Sequence, residues 1–186
     1  MKISKEKAGQ NRQSLVEAAA RLFKEKGFDG VGVAEISKEA GLTHGALYAH
    51  FPSKDALAGE AMAFNAVSAF DKLHASQVPL RELVDGYLAP ALRDSLLAGC
   101  PLAAAASDVA RQDAGVSAGY TAGFRQMVGY MEARLPPGPG RHAQAVAMMA
   151  ALVGAVSVSR SVQKADPALA DEVLEAVRAL LVQRLE

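Results

Sequence analysis

The sequence predicts an all-α protein, with an N-terminal three-helix head over residues 1–54 and a helical body over residues 55–186. Three observations predict it. Apolar residues recur at spacings of three and four in segment after segment, and no convincing strand stands among them. Helix punctuation lies between those segments at Gly27, Gly41, Pro52, Gly99 to Pro101 and the run PPGPG from Pro136 to Gly140. The stretch VGVAEISKEAGLTHGALYAHFPSKD, from Val31 to Asp55, reads as two short helices joined by a tight turn, a helix-turn-helix.

Met1 to Gln10 is Lys-rich and polar and reads as a loose arm, either solvated or touching phosphate. Asn11 to Lys26 is a helix whose stripe of Leu15, Ala18, Ala19, Leu22 and Phe23 faces inward, with Gly27 as its stop and Phe28 anchoring the turn. Val33, Ile36 and Ala40 share one face of the next helix, and Gly41 ends it. Thr43 is placed to cap a short helix from His44 to about Ala49 by accepting a backbone N–H. Leu47 and Phe51 point inward, which leaves His44, Gly45, Ala46, Tyr48 and Ala49 on the outside. Ser53 caps a long helix from Lys54 to about Ser76.

The body continues with a helix from Pro79 to about Leu97, broken or kinked by Pro90. An Ala-rich helix runs from Leu102 to about Gln112, and another from Gly115 to Arg134, weakened by four glycines. After PPGPG, a helix rich in Ala, Val and Met spans Arg141 to about Lys164. Asp166 caps the final helix, with Pro167 in its first position.

Composition bounds the chemistry. Apolar residues make up 51% of 186, ample for a core. Net charge is zero but uneven, +3 over residues 1–54 and −3 over the rest, which suits a head that meets phosphate and a body that does not. Cys100 is the single cysteine, so no intramolecular disulfide forms. His44, His50, His74 and His142 lack metal-ligand spacing, and there is no phosphate-binding loop, GxSxG or dinucleotide fingerprint. Neither an enzyme nor a bound cofactor is expected. No signal peptide or confident membrane span is read, so a cytoplasmic protein is expected.

The residues EISKEAGLTHGALYAHFPSKDAL, preceded by RQSLVEAAARLFKEKGF, closely resemble the TetR family of bacterial transcriptional regulators over about Arg12 to Leu57. Beyond Leu57 the similarity is to the family's general plan. Val31 and Gly32 depart from it, since the family usually has Thr or Ser there, and the departure puts one phosphate contact in doubt. The resemblance implies a homodimer that binds a double-stranded DNA operator and answers to a small-molecule effector. A helix-turn-helix lays its second helix in the major groove, and a dimer supplies two such helices. Thr43, Tyr48, His50 and Lys54 are then expected at phosphates. His44 and the backbone at Gly45 are expected at base edges, or His44 merely in solvent, with Ala46 and Ala49 able to meet a thymine methyl.

The same resemblance implies an effector cavity in the body, with Phe64, Tyr87, Cys100, Tyr120, Phe124, Met127 and Met148 as candidate walls or else simple core. Such walls favour a hydrophobic or aromatic ligand. The helices over 141–164 and 167–186 form either a monomer core or a dimer seam. The small residues Ala147, Ala151, Gly154, Ala155 and Ser157 permit close approach, and the resemblance favours the seam. AGCPLAAAASDVA is similar to a subset of these regulators with Gly-Cys ahead of the sixth helix, some of which sense electrophiles or oxidants through cysteine. Cys100 would then cap a helix started by Pro101, with its sulfur beside free N–H groups, although no Lys or Arg is adjacent in sequence. The alternative function is therefore a ligand-binding or cysteine-based sensor with weak or no specific DNA binding.

Overall fold

The computed structural model describes residues 5–185 and is helical throughout. The elements are α1 (Lys5–Lys26), α2 (Val33–Glu39), α3 (His44–His50), α4 (Lys54–Ser76), α5 (Leu80–Tyr87), α6 (Pro90–Asp94), α7 (Pro101–Val109), α8 (Ala114–Glu132), α9 (Arg141–Val162) and α10 (Pro167–Gln183).

α1 begins well before Asn11. Lys5 to Gln10 is helical rather than a loose arm, because Lys, Glu, Ala and Gln are good helix formers and need no apolar stripe to continue an existing helix. Met1 to Ser4, the rest of that expected arm, lie outside the described residues. Every member of the expected α1 stripe is buried, and Gly27 ends the helix in the left-handed region at φ 74°. Pro90 divides the expected 79–97 helix into α5 and α6. Its ring occupies the first position of α6, where the missing N–H costs nothing. α6 stops at Asp94, short of Leu97.

In the head, α1, α2 and α3 pack around Leu15, Ile36, Leu47 and Phe51, with at most 2% of each exposed. Ion pairs Arg21–Glu39 and Lys26–Glu35 join α1 to α2 at the surface. Val31 is 1% exposed, so its apolar side chain belongs to this core rather than to a cap. α4 carries the chain from head to body. It lies against α1 on one side and along most of α8 on the other.

The α4–α8 crossing depends on glycine. A Cβ at Gly119 would come within 2.8 Å of the Gly59 carbonyl oxygen, and one at Gly123 within 2.5 Å of the Ala66 Cβ. These glycines weaken α8 as an isolated helix but allow it to sit directly on α4. α9 packs on α7, α8 and α10. Arg93 of α6, 6% exposed, joins this layer by donating to Asp171 of α10 at 2.5 Å and to Asp94 at 2.7 Å. By length and composition α9 is apolar enough to cross a bilayer, yet Met148, Met149, Leu152 and Val156 are buried inside the protein.

Candidate functional site

The first candidate surface is built by α2 and α3. Gly41 turns the chain at φ 68°, and Gly32 starts α2 through its backbone carbonyl, which accepts from Glu35 and Ile36 N–H at 3.1 Å. Thr43 occupies the cap position of α3 in extended backbone, but its hydroxyl accepts no helix N–H. The expected capping bond is absent, and the hydroxyl is exposed instead. Leu47, fully buried, and Phe51, 2% exposed, seat α3 on the head.

The opposite face of α3 is open. His44, Gly45, Tyr48 and Ala49 are exposed, while Ala46 and His50 are half-buried. Tyr48 is 53% exposed, and its ring centroid lies 5.5 Å from that of His44, so two polar-tipped rings stand together on the outer face. Lys54 differs from the other expected contacts. Its ammonium turns inward, donating to the Phe28 carbonyl at 2.5 Å and lying 5.9 Å from the Phe23 ring centroid. In this arrangement Lys54 ties α4 to the turn after α1.

The second candidate site is a cavity of about 370 Å³ among α4, α5, α7, α8 and the loop after α6. Of the residues expected to line it, Tyr87, Cys100 and Met127 do. Phe64 faces a neighbouring cavity instead. Phe124 and Met148 belong to the packed core and do not reach the space, and Tyr120 stands outside the wall but close enough to feel Cys100. The spacing of Ala66, Ala69 and Leu73, one face of α4, marks the longest wall. Small residues there carry no signature of a ligand, so sequence reasoning passed over them in favour of aromatic side chains.

Polar groups gather at the Cys100 end. The Tyr87 hydroxyl is buried without a hydrogen-bond partner. Burial first, and the neighbouring Cys100 second, push this phenol well above its ordinary value, so it stays protonated. Tyr120 is raised for the same two reasons in the same order. Cys100 starts α7, but its sulfur accepts no helix N–H, so the expected cap contact is not made. The cations that sequence adjacency could not supply come from distant elements. Lys24 of α1 and Arg160 of α9 both lie within electrostatic reach of Cys100.

Lys24 joins the head to this region, since its ammonium donates to the Leu97 carbonyl in the α6–α7 loop. Burial lowers its pKa; Cys100 opposes that shift, and Lys72 and Arg160 add to it. Arg160 holds the same loop from the other side. It donates to the carbonyls of Arg93 at 2.7 Å, Leu92 at 3.3 Å and Ser95 at 3.4 Å, while its Nη1 is buried without a partner. No cluster of three or more His, Cys, Asp or Glu side chains suited to a metal ion occurs among the described residues.

Comparison with known proteins finds a family model described as bacterial regulatory proteins, tetR family, matching residues 15–61. The A-factor receptor protein of Streptomyces griseus is 38% identical over 80 residues, which are 43% of this chain and 28% of that protein. The HTH-type transcriptional regulator AcrR of Shigella flexneri is 40% identical over 57 residues, 31% of this chain and 26% of its own length. The matched segments thus span less than a third of these curated relatives. Solved structures agree in fold over nearly the whole chain. The reduced form of NemR from E. coli superposes with a TM-score of 0.74 at 18% identity, covering 92% of this chain and 94% of that one. A TetR-family regulator from Cytophaga hutchinsonii gives 0.74 at 20% identity, covering 98% of each chain.

Proposed function

This chain belongs to the TetR family of bacterial regulatory proteins, and from that membership we propose that it is a homodimeric, DNA-binding transcriptional repressor. A small, largely apolar effector releases it from a twofold operator in the cytoplasm. The observation that carries the reading is α3 itself: a helix seated by Leu47 and Phe51 with His44, Gly45, Tyr48 and Ala49 presented outward. A helix displayed in this way suits a major groove, with its N-terminal residues at base edges and its flanks at phosphates. Thr43, with a free hydroxyl, Tyr48 and His50 are assigned to phosphate, His44 and Gly45 to base edges, and Ala46 and Ala49 to apolar contact. Lys54 is assigned to phosphate as well, since its ammonium has N–H donors beyond the one given to the Phe28 carbonyl.

Dimerisation is assigned to α9 and α10, which leave Val158, Leu169 and Leu180 at 49%, 40% and 55% exposure. A second copy covers these side chains and sets the two recognition helices at a fixed separation. An effector that fits one separation better than the other shifts DNA affinity by its differential binding. The test measures binding of the full chain to DNA from beside its own gene across a salt series. Tyr48→Ala is expected to weaken binding about tenfold or more on all sequences alike, as loss of a hydrogen bond to a charged group does. His44→Ala is expected to change base preference instead. Unchanged affinity in Tyr48→Ala at moderate salt removes the assignment of α3.

A cysteine-based sensor is the second reading, favoured by the presence of Cys100 in the cavity wall with Lys24 and Arg160 in electrostatic reach. Under it, alkylation of Cys100 releases DNA and Cys100→Ser abolishes the response. Under the effector reading, Cys100→Ser responds normally.

A further inference from the structure

The apolar cavity does not end at its own walls. A second space of about 400 Å³ lies between α1 of the head, α4 and the α6–α7 loop, and shares Ala69, Lys72, Ala98 and Gly99 with the first. The two differ in character. One is bounded mainly by Ala, Leu and Gly residues, with Lys72 and Glu82 as its charged members; the other includes Glu17, Arg21, Lys24, Asn65, Ser68 and Lys72.

The charges of the second space do not balance locally. Arg21 is answered by Glu25 and Glu39. Glu17, an exposed member of the same wall, accepts from Gln13 at 2.9 Å. Lys24 and Lys72 have no carboxylate within ion-pairing distance among the described residues, and Glu82, which lines the apolar cavity with Lys72, makes no ion pair with it. Burial first, then Lys72 and Arg160, disfavour the charged form of Lys24. Asp94, the carboxylate that acts on Arg160, already accepts from Arg93 and Gln163. The junction of head and body therefore holds two ammonium groups without an ion pair, next to an apolar cavity, with Glu17 as the carboxylate in the same wall.

We propose that the effector is an amphipathic carboxylate whose acid group sits between Lys24 and Lys72 and whose apolar tail fills the cavity beyond Gly99. The inference rests on the reading of this cavity as the effector site and names the class of ligand. A carboxylate there accepts charge-assisted hydrogen bonds from both ammonium groups and removes their mutual repulsion. The tail gains burial against Ala66, Leu73, Leu83 and Met127. Lys24 now donates to the Leu97 carbonyl, so the acid also competes for a side chain that ties α1 of the head directly to the α6–α7 loop. Ligand binding thereby acts on a head–body contact.

The test is calorimetric titration of the full chain with decanoate, decan-1-ol and decylammonium, which share a tail and differ in head group. Decanoate is expected to bind about tenfold or more tightly than decan-1-ol, the scale of a hydrogen bond to a charged group, and decylammonium more weakly than either. Lys72→Gln, at an exposed position where folding is not at stake, is expected to erase most of the advantage of the acid and leave the alcohol unchanged. Equal binding of acid and alcohol, or a full acid preference retained in both Lys72→Gln and Lys24→Gln, overturns the head-group assignment while the apolar cavity still stands as a ligand site. Binding by none of the three overturns the cavity reading as well.

Discussion

The head and the body of this protein are packed by opposite means. In the head, large side chains fill the space between the helices: Leu15, Ile36, Leu47 and Phe51 are all but inaccessible to solvent. In the body, the main contact, α4 on α8, is made by side chains that are missing. Gly59 and Gly119 let two backbones touch, and Gly123 receives the Cβ of Ala66. The difference bears on function. A head filled by large residues holds α3 in one posture. A crossing drawn tight by glycine places no large side chain beside it, and the apolar cavity lies there, lined by Ala66, Ala69 and Gly123 themselves.

The largest effect is expected from emptying the head. Phe51 closes the core beneath α3 and carries the Arg12 guanidinium 4.6 Å from its ring centroid. Phe51→Ala is expected to cost about 3–5 kcal/mol, as loss of a buried aromatic does, measured by urea unfolding. Because α3 rests on that ring, loss of DNA binding should accompany loss of stability.

The body breaks in the reverse direction, by addition. A Cβ at Gly123 meets another Cβ, not the end of a flexible chain, so the helices must part. Gly123→Val is expected to cost about 1–3 kcal/mol, the usual scale of overpacking. Gly129, on the same helix, is the control, since a Cβ there would meet nothing within 4 Å. Gly129→Ala is expected to stabilise by up to about 1 kcal/mol through helix propensity alone. Equal effects of the two substitutions in urea unfolding would remove the claim that close approach explains the glycines of α8.

This contrast also explains what was legible before the structure. The head could be read because its information lies in residues that are present at fixed spacing. Leu47, Phe51, Gly41 and the Ser53 cap all fall where periodicity and capping chemistry place them. The break at Pro90 and the cap at Asp166 were legible in the body for the same reason. The glycines of α8 were read only as a weakness, since a missing side chain does not reveal which partner approaches it. The cavity was half-read: Tyr87, Cys100 and Met127 line it, but Lys24, Lys72 and Arg160 arrive from α1, α4 and α9 by tertiary contact alone. The bond from Lys54 to the Phe28 carbonyl was not legible, because a long side chain has several partners within reach and that carbonyl cannot be placed from sequence.

The smallest effects sharpen the comparison within the head, between two hydroxyls at the starts of consecutive helices. Ser53 and Thr43 both precede a helix in extended backbone, and both are favoured cap residues. Only Ser53 makes the bond, accepting from the Ala56 N–H at 3.0 Å. Ser53→Ala is therefore expected to cost about 1 kcal/mol in thermal or urea unfolding, the typical value of a lost cap. Thr43→Ala should fall within about 0.5 kcal/mol of the parent, as exposed substitutions without a structural role do. The DNA readout should run the other way. Thr43 lies beside His44 at the start of α3 with its hydroxyl uncommitted, so Thr43→Ala is expected to lower affinity for all sequences and leave stability alone. Ser53 is spent on α4, and its loss should lower affinity only as far as the fold loosens. A Thr43→Ala protein as unstable as Ser53→Ala would show that the hydroxyl caps α3 after all, and that its place at the DNA surface is incidental.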